Sequence, residues 1–352
     1  MIDYQAWTAL QDKEITKILE AVGQGERRIV LQGPTGAGKG QIIVRLARHF
    51  REEGVVLYNN RRLLSEQLQG VFSDHEIDHG VRASGYRPEH WRPVQISSMP
   101  TENARMDNPL YQLHQAKLVM VDEIHLQKET MAQKILNVHY QQGAILLGIT
   151  ATPLDLGHLF TKLISMGTLV DFRRVGALLL AKHYAPDEPD KLPFKPVYTE
   201  NEARKAMKVK TIFGRILEHY HRLNPEQKPT ILFAPGVPES VWLAQELTRN
   251  GVRAASIDGE DCWVDGEFTK SSRDNRQSII KELREGSIKV LCNRFVLREG
   301  IDIPELAHGI LATVFSSVQS YIQAVGRLLR ASEGLSHVCL QDHGGNYWRH
   351  GS

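Results

Sequence analysis

Cysteine, long apolar runs and an excess of either charge are scarce or absent in this chain of 352 residues. Its three cysteines (Cys262, Cys292 and Cys339) lie far apart without a C-x-x-C pair, which excludes a disulfide scaffold and a zinc module and fits a reducing cytosol. No apolar stretch approaches the ~20 residues that cross a bilayer. Forty-three Lys and Arg against 41 Asp and Glu leave a net charge of +2, which excludes a histone-like chain. The composition predicts a soluble, intracellular (cytoplasmic) protein with no membrane partner.

Short apolar runs alternate with longer amphipathic stretches along most of the chain. The patterns typical of buried strands in the first half lie at residues 28–32, 54–58, 93–97, 117–121 and 144–149. Helical patterns separate most of them, and one places Ile42, Leu46 and Phe50 on a single stripe. Such alternation predicts an α/β fold, in which helices cover both faces of a mostly parallel sheet.

This alternation stops between about residues 167 and 201. Residues 185–196 include four prolines, which cannot occupy central strands or helix interiors, so we interpret the region as a linker or an irregular decoration. Strand patterns then resume at residues 230–233, 252–257, 288–292, 310–314 and 337–340. The sequence therefore predicts two similar α/β lobes, residues 1–170 and 171–352.

A glycine-rich segment follows the first predicted strand and opens the first predicted helix. It consists of Gly33, Pro34, Thr35, Gly36, Ala37, Gly38, Lys39 and Gly40. Glycines let successive backbone N–H groups point at phosphate oxygens, and the helix N-terminus adds positive potential. Because Lys39 can reach the β- and γ-phosphates of a nucleotide, the segment is predicted to be a P-loop that binds ATP.

Gly40 departs from the P-loop pattern. The usual residue there is Ser or Thr, whose hydroxyl ligates Mg²⁺. Without that hydroxyl, Mg²⁺ would depend on phosphate oxygens, water and an acidic residue elsewhere. We expect weaker metal coordination, with a higher Mg²⁺ demand or slower turnover; a degenerate, non-hydrolysing site is the alternative.

Two carboxylates end a strongly apolar predicted strand in the segment Leu118–His125. Acids at the carboxyl end of a parallel strand point into the crevice where α/β sheets bind ligands. We expect Asp122 to hold Mg²⁺ and Glu123 to orient and deprotonate the attacking water, because a metal-bound carboxylate is a poor base. His125 is interpreted either as a sensor of the γ-phosphate or as a hydrogen-bonded polar residue.

The segment Asp122–His125 has the D-E-x-H spelling of superfamily 2 helicases and translocases, and further segments resemble that family's motifs in the right order. They are Thr150–Pro153, Thr230–Pro235, Arg298–Pro304 and Gln323–Arg330. The resemblance covers nearly the whole chain and implies two tandem RecA-like lobes with ATP bound in the cleft between them. The segment Leu340–Asn346 and the chain length are most similar to RadD-type bacterial and phage DNA helicase-like proteins.

The resemblance also implies roles for single residues. Gln11 would read adenine, and Gly300 and Asp302 would belong to the ATP site. The residues that would couple hydrolysis to nucleic acid are His125, Thr150, Thr152 and Gln323. The residues that would contact nucleic acid are Arg61, Ser98, Gly236 and either Asn293 or Arg294. Such contacts would mostly touch phosphates, so binding should tolerate sequence and respond to salt.

Gln323, Arg327 and Arg330 follow the spacing i, i+4 and i+7, which places them on one face of a helix. Ile322, Val325 and Leu329 would pack on the sheet. A row of guanidinium groups suits arginine fingers, which neutralise charge on the γ-phosphate. The alternative is a solvated basic face.

The sequence thus predicts a nucleic-acid-dependent ATPase that acts as a DNA helicase or translocase, with ATP and Mg²⁺ as cofactors. Hydrolysis would open and close the lobes along single-stranded or forked DNA. Three alternatives stay open: a nucleic-acid clamp or annealing factor with a degenerate ATP site, a motor subunit whose protein partner supplies an accessory domain, and an RNA helicase.

Overall fold

The chain folds into two units, residues 2–175 and residues 176–352. The computed structural model describes residues 2–60, 62–87, 89–185, 199–294, 306–331 and 334–351, with the backbone alone for residues 62–64, 66 and 67. In this part of the chain no helix is long and apolar enough to cross a membrane.

The first unit is built on a seven-stranded sheet in which every neighbouring pair is parallel. Its strands are β1 (Arg28–Gln32), β2 (Val55–Asn59), β3 (Gly80–Arg82), β4 (Val94–Ser98), β5 (Leu118–Asp122), β6 (Ile145–Thr150) and β7 (Lys162–Ser165). Their order is β3-β4-β2-β5-β6-β1-β7. Every residue of β2, β4 and β6 is buried, as expected of strands covered on both faces.

Six helices accompany this sheet: α1 (Tyr4–Gly23), α2 (Lys39–His49), α3 (Arg62–Asp74), α4 (Met99–Arg105), α5 (Glu129–Gln141) and α6 (Leu169–Arg174). The apolar stripe predicted for α2 is confirmed, because Ile42, Leu46 and Phe50 are all buried. Burying each such side chain contributes roughly 1.5–3 kcal/mol, which fixes the helix against the sheet and with it the loop that precedes the helix.

The second unit contains a mixed sheet of eight strands. They are β8 (Leu180–Tyr184), β9 (Thr230–Phe233), β10 (Ala254–Ile257), β11 (Asp261–Val264), β12 (Glu267–Lys270), β13 (Val290–Asn293), β14 (His308–Leu311) and β15 (His337–Asp342). The order is β12-β11-β10-β13-β9-β14-β15-β8. β11 runs antiparallel to both of its neighbours, whereas the other adjacent pairs are parallel. Asp265 and Gly266, with φ of 50° and 98°, form the two-residue turn between β11 and β12.

The helices of the second unit are α7 (Glu200–Met207), α8 (Val209–Leu223), α9 (Val237–Arg249), α10 (Arg273–Arg284), α11 (Val318–Leu328) and α12 (Asn346–His350). Side chains of α8 and α9, including Ile216, Tyr220 and Leu243, form one buried cluster with the central strands. The predicted α/β fold of mostly parallel sheets is confirmed.

Strands at sheet edges were not predicted. These are β3 and β7 in the first unit and β8 and β12 in the second, and β11, which lies between β12 and β10, was not predicted either. The strands β7, β8 and β12 are largely exposed and lack a continuous apolar run. The interpretation of residues 167–201 as linker or irregular structure is wrong for α6 and β8, which are regular elements. The division between the units falls after Val175, whereas the predicted boundary follows residue 170. The proline-rich residues 186–198 lie outside the described residues.

Candidate functional site

The predicted P-loop connects the end of β1 to the start of α2. The amide of Gly33 donates to the carbonyl of Thr150 at 3.0 Å, and the amide of Ala37 donates to the carbonyl of Pro34 at 3.1 Å. Gly36 and Gly38 have φ of 87° and 84°, a conformation that L side chains rarely adopt. No side chain caps the first amide groups of α2. The helix therefore begins with the backbone donors that a phosphate group needs.

The loop packs closely on α1. The indole N–H of Trp7 donates to the carbonyl of Ala37 at 3.2 Å. A Cβ atom on Gly38 would lie 2.3 Å from Nε2 of Gln11 and 3.1 Å from the ring of Trp7. Gln11, predicted to read adenine, is thus beside the loop, and it is only 5% exposed. Trp7 was not predicted, although its spacing of four residues from Gln11 places both on one helix face.

The side chain of Lys39 folds back over the loop. Its ammonium group donates to the carbonyls of Gly33 and Pro34 at 2.9 and 3.1 Å. These oxygens hold the cation at the mouth of the loop, where phosphate oxygens would be alternative acceptors. The geometry fits the predicted ATP site.

Gly40, the second residue of α2, is exposed, and a Cβ atom built on it would meet nothing within 4 Å. A side chain is therefore sterically allowed. We expect Gly40→Thr to lower the Mg²⁺ concentration for half-maximal ATP hydrolysis by about tenfold, the effect of one added ligand worth ~1.4 kcal/mol. The measurement is the rate of hydrolysis across a Mg²⁺ series.

Gly40→Val is the matched control for this change, because valine has nearly the shape of threonine but no hydroxyl. An equal shift in both variants would assign the effect to helix stability. If Gly40→Thr changes neither the Mg²⁺ demand nor turnover, the assumed role of the missing hydroxyl is wrong.

Asp122 and Glu123 stand at the carboxyl end of β5. Glu123 has φ of 47°, which turns the chain sharply after the strand, and its amide donates to Oδ1 of Asp122 at 3.0 Å. Burial, and then the charge of Glu123, raise the pKa of Asp122 to about 7, although the nearby Lys39 ammonium opposes the shift. The pair therefore favours a bound cation.

A magnesium ion at Asp122 would need further ligands from outside the protein. Within the described ranges, no group of three or more His, Cys, Asp or Glu side chains could hold a metal. Because Mg²⁺ usually retains waters and binds through one or two carboxylates plus substrate phosphates, Asp122 beside the P-loop fits that ligand set.

The same carboxyl group should destabilise the protein when no cation is present. Its pKa is above the usual value of 3.8, so the folded state holds a proton that the unfolded state releases between pH 4 and 7, and stability falls as the pH rises through that range. We expect Asp122→Asn to remove this penalty. The gain in free energy of unfolding should be larger at pH 8 than at pH 5 by on the order of 2 kcal/mol, which corresponds to a melting temperature that rises by a few degrees more at pH 8.

The measurement is thermal unfolding in EDTA without nucleotide. Asp107→Asn is the control, because the Asp107 side chain is 77% exposed. A gain for Asp122→Asn that does not depend on pH would contradict the assigned cause.

Four predicted functional residues form one chain of contacts from the end of β5 to the loop after β6. Nδ1 of His125 lies 3.5 Å from Oε2 of Glu123 and 2.7 Å from Oγ1 of Thr150. Oγ1 of Thr150 also accepts from the amide of Thr152 at 3.0 Å. The side chain of His125 is 1% exposed, so water does not compete for these contacts. The arrangement links the position of Glu123 to the backbone at Thr152.

In the second unit, α11 ends at Leu328 and does not include Arg330. The prediction that Gln323, Arg327 and Arg330 share one helix face is therefore wrong for Arg330. The chain there pairs with residues 177–179 instead: Leu179 donates to the carbonyl of Leu329 at 2.7 Å, and Arg330 forms an antiparallel bridge with Leu178.

Within α11, Gln323 is buried and Arg327 is half-buried. Val325 and Leu329 are buried as predicted. Ile322 is 39% exposed, so the prediction that it packs on the sheet is wrong.

Residues near Asp342 hold the entry to α11, and this cluster was not predicted. Asn346 accepts from the amide of Phe315 at 2.8 Å and donates to the carbonyl of Thr313 and to Oδ1 of Asp342, each at 2.8 Å. Asp342 also accepts from the amide of Gly344 at 3.0 Å. The segment Leu340–Asn346 therefore fixes residues 313–315, which precede α11, the helix that contains Arg327. Its unusual composition was visible in the sequence, but its contacts were not.

The predicted contacts with nucleic acid differ in accessibility. Ser98 precedes α4 and is 8% exposed, and its Oγ accepts from the hydroxyl of Thr101 at 3.1 Å. Gly236 precedes α9. Asn293 is fully buried, and its Nδ2 donates to the carbonyl of Leu232 at 3.1 Å, so its side chain is not exposed to a bound strand.

Arg294 is the remaining candidate at that strand end, and its side chain is 15% exposed. Three predicted functional residues lie outside the described residues: Arg61, Gly300 and Asp302.

Two family models match parts of this chain. The family model "Type III restriction enzyme, res subunit" matches residues 5–155, which include the P-loop and both carboxylates. The model "Helicase conserved C-terminal domain" matches residues 211–332, which include α11.

Individual proteins resemble nearly the whole chain. A 51.5 kDa protein of Lactococcus phage (isolate 7-9) is 26% identical over 334 residues, 92% of this chain and 67% of its own length. The DNA 3'-5' translocase XPB2 of Sulfurisphaera tokodaii is 22% identical, covering 88% of this chain and 76% of its own. A structure assigned as the HsdR subunit of a type I restriction enzyme from Vibrio vulnificus YJ016 superposes with a TM-score of 0.72 at 18% identity, over 97% of this chain and 65% of that one. This chain therefore spans about two thirds of the phage protein and of the HsdR fragment.

Proposed function

Because this chain belongs to the superfamily 2 helicases, we propose that it is a nucleic-acid-dependent ATPase that moves along DNA as a helicase or translocase. The observation that carries the proposal is the chain of contacts from Glu123 through His125 and Thr150 to Thr152. A protein that only bound nucleotide would have no need of a buried path from the assigned base to the backbone at Thr152.

The proposed chemistry follows from the positions of the side chains. Lys39 and the amide groups at the start of α2 bind the phosphates of ATP. Bound Mg²⁺, held at Asp122, would supply positive charge that screens the phosphates. Glu123 orients a water molecule and accepts its proton. Arg327 neutralises charge that develops on the γ-phosphate.

His125 couples ATP hydrolysis to the binding of nucleic acid. Its imidazole is within reach of both Glu123 and Thr150, so a shift of the Glu123 carboxylate towards water changes the hydrogen bond to Thr150 and the backbone at Thr152. Such coupling lets hydrolysis alter the grip on a strand. We propose alternation between closed and open lobes as the resulting motion.

DNA is the proposed track. The archaeal relative is named a DNA 3'-5' translocase, and the segment Leu340–Asn346 resembles RadD-type DNA helicase-like proteins. Single-stranded or forked DNA would bind through its phosphates at Ser98, Gly236 and Arg294, with little dependence on sequence.

The decisive experiment measures ATP hydrolysis across a Mg²⁺ series without nucleic acid and with single-stranded DNA, forked DNA or RNA. Glu123→Gln serves as the blank. Strong stimulation by DNA supports the proposal, and stronger stimulation by RNA would replace the proposed track with RNA. Tight DNA binding without hydrolysis at any Mg²⁺ concentration would refute an ATPase.

Gly40 favours a second candidate, a nucleic-acid clamp or annealing factor with a degenerate ATP site, which the last outcome would support. The match to a restriction-enzyme subunit model favours a third, the motor subunit of a larger DNA-processing complex. In that case weak activity would recover when a protein partner supplies an accessory domain.

A further inference from the structure

Helix α7 places two charged side chains beside two of the predicted nucleic-acid contacts. Glu200 and Arg204, four residues apart, lie on the same side of this helix. Nε and Nη2 of Arg204 are each 2.9 Å from Oε1 of Glu239, and Oε2 of Glu200 is 3.8 Å from Nη2 of Arg294. Both ion pairs thus join α7 to the carboxyl edge of the second sheet.

The Arg204 pair lies directly on the backbone at Gly236. A Cβ atom on Gly236 would be 2.9 Å from Cδ of Arg204, 3.0 Å from its Nε and 2.3 Å from Oε2 of Glu239. Glu239 is the third residue of α9, so its carboxylate occupies the positive N-terminal end of that helix. An acidic group of the protein therefore already stands where we propose that a phosphate binds.

The Arg204 pair is in contact with water on both sides. The side chains of Arg204 and Glu239 are 35% and 23% exposed, and those of Arg294 and Glu200 are 15% and 53% exposed. Ion pairs in contact with water contribute little to folding stability. The two arginines cancel the two glutamates, so this patch carries no net charge until the carboxylates move away.

We propose that Arg204 is a further phosphate-binding residue and that Glu239 is its internal counter-ion, which a nucleic-acid phosphate displaces. This inference rests on the proposed nucleic-acid binding at Gly236 and Arg294. A phosphate at the start of α9 would receive the Arg204 guanidinium in a bidentate arrangement, because the planar fork matches its oxygens. The phosphate can bind there only when the Glu239 carboxylate, which repels it, moves away.

The test measures the affinity of the full chain for a fluorescent oligo(dT) strand across a salt series. We expect Arg204→Gln to weaken binding about threefold to tenfold and to reduce the slope of log K against log salt by about 0.7. Glu239→Gln should strengthen binding severalfold, because it removes the competing charge. Arg204→Lys keeps the charge and should keep the slope.

Arg253→Gln is the matched control. Arg253 is also 35% exposed and makes ion pairs of 2.8 Å with Asp265 and Glu282, but it precedes β10 at the opposite edge of the sheet. Its slope should equal that of the wild type. Circular dichroism and melting temperatures check that every variant is folded.

The outcomes separate the two proposals. If wild type binds DNA but Arg204→Gln behaves like Arg253→Gln, or if Glu239→Gln weakens binding as much as Arg204→Gln, the ion pair is only structural and the inference fails. If the wild type binds neither DNA nor RNA, the proposed function fails and this inference fails with it.

Discussion

Arg327→Ala is expected to lower the rate of ATP hydrolysis by about 10³-fold, the lower end of the effect of an arginine finger. The guanidinium group would stabilise charge that appears in the transition state, so the affinity for ATP should change little. Steady-state hydrolysis and binding of a fluorescent ATP analogue measure the two quantities separately. Arg327→Lys should not restore the rate, because an ammonium group lacks the planar fork.

Arg249→Ala is a suitable control for this result. Arg249 ends α9 in the same unit, its side chain is 67% exposed, and it pairs with Glu246. Its removal should leave hydrolysis unchanged. A large loss of ATP binding in Arg327→Ala would contradict the finger, since it would show that the side chain mainly binds the ground state.

Glu123→Gln should lower hydrolysis by at least about 10²-fold while ATP still binds, because the amide cannot accept a proton from water. The substitution keeps the size of the side chain and its contact distance to His125. We expect the variant to accumulate with ATP bound and to hold single-stranded DNA more tightly in ATP than in ADP. Hydrolysis and DNA affinity in both nucleotides are the measurements.

Glu129→Gln is the control for the change of charge, because Glu129 begins α5 nearby and its side chain is 68% exposed. Normal turnover in Glu123→Gln would show that another group is the base. Loss of ATP binding in this variant would instead indicate a role in holding the nucleotide.

Local chemistry explains which parts of the site were predictable. The P-loop depends on glycines, a lysine and a helix start that are adjacent in sequence, and Asp122 and Glu123 follow one apolar strand. In both cases the residues that define the motif lie within about ten positions of one another in the sequence. His125 and Thr150 were both predicted to couple hydrolysis to nucleic acid, but their contact, which joins two neighbouring strand ends, was not predicted.

Features that depend on distant partners were missed. Helical periodicity alone would carry Arg330 onto α11, but hydrogen bonds to residues 177–179 take its backbone out of the helix. Asn293 has the polar side chain of a contact residue, yet its amide turns inward to the carbonyl of Leu232. No local pattern shows that Asn346 would bind the backbone of Thr313 and Phe315. In each case tertiary contacts override sequence spacing.

The edge strand β8 has a consequence for the order in which the second unit folds. Within the part of the chain that the structure describes, its residues 180–184 pair with β15 alone, at residues 337–341, although β8 is synthesised before every other strand of that sheet. The pairing of β8 with β15 is therefore a contact of very high sequence separation. During synthesis β8 remains without its partner until the other strands of the sheet have been made. The bridge at Leu178 and Arg330 is subject to the same delay. Arg330 and Leu178 therefore reach their final places late in the folding of the second unit.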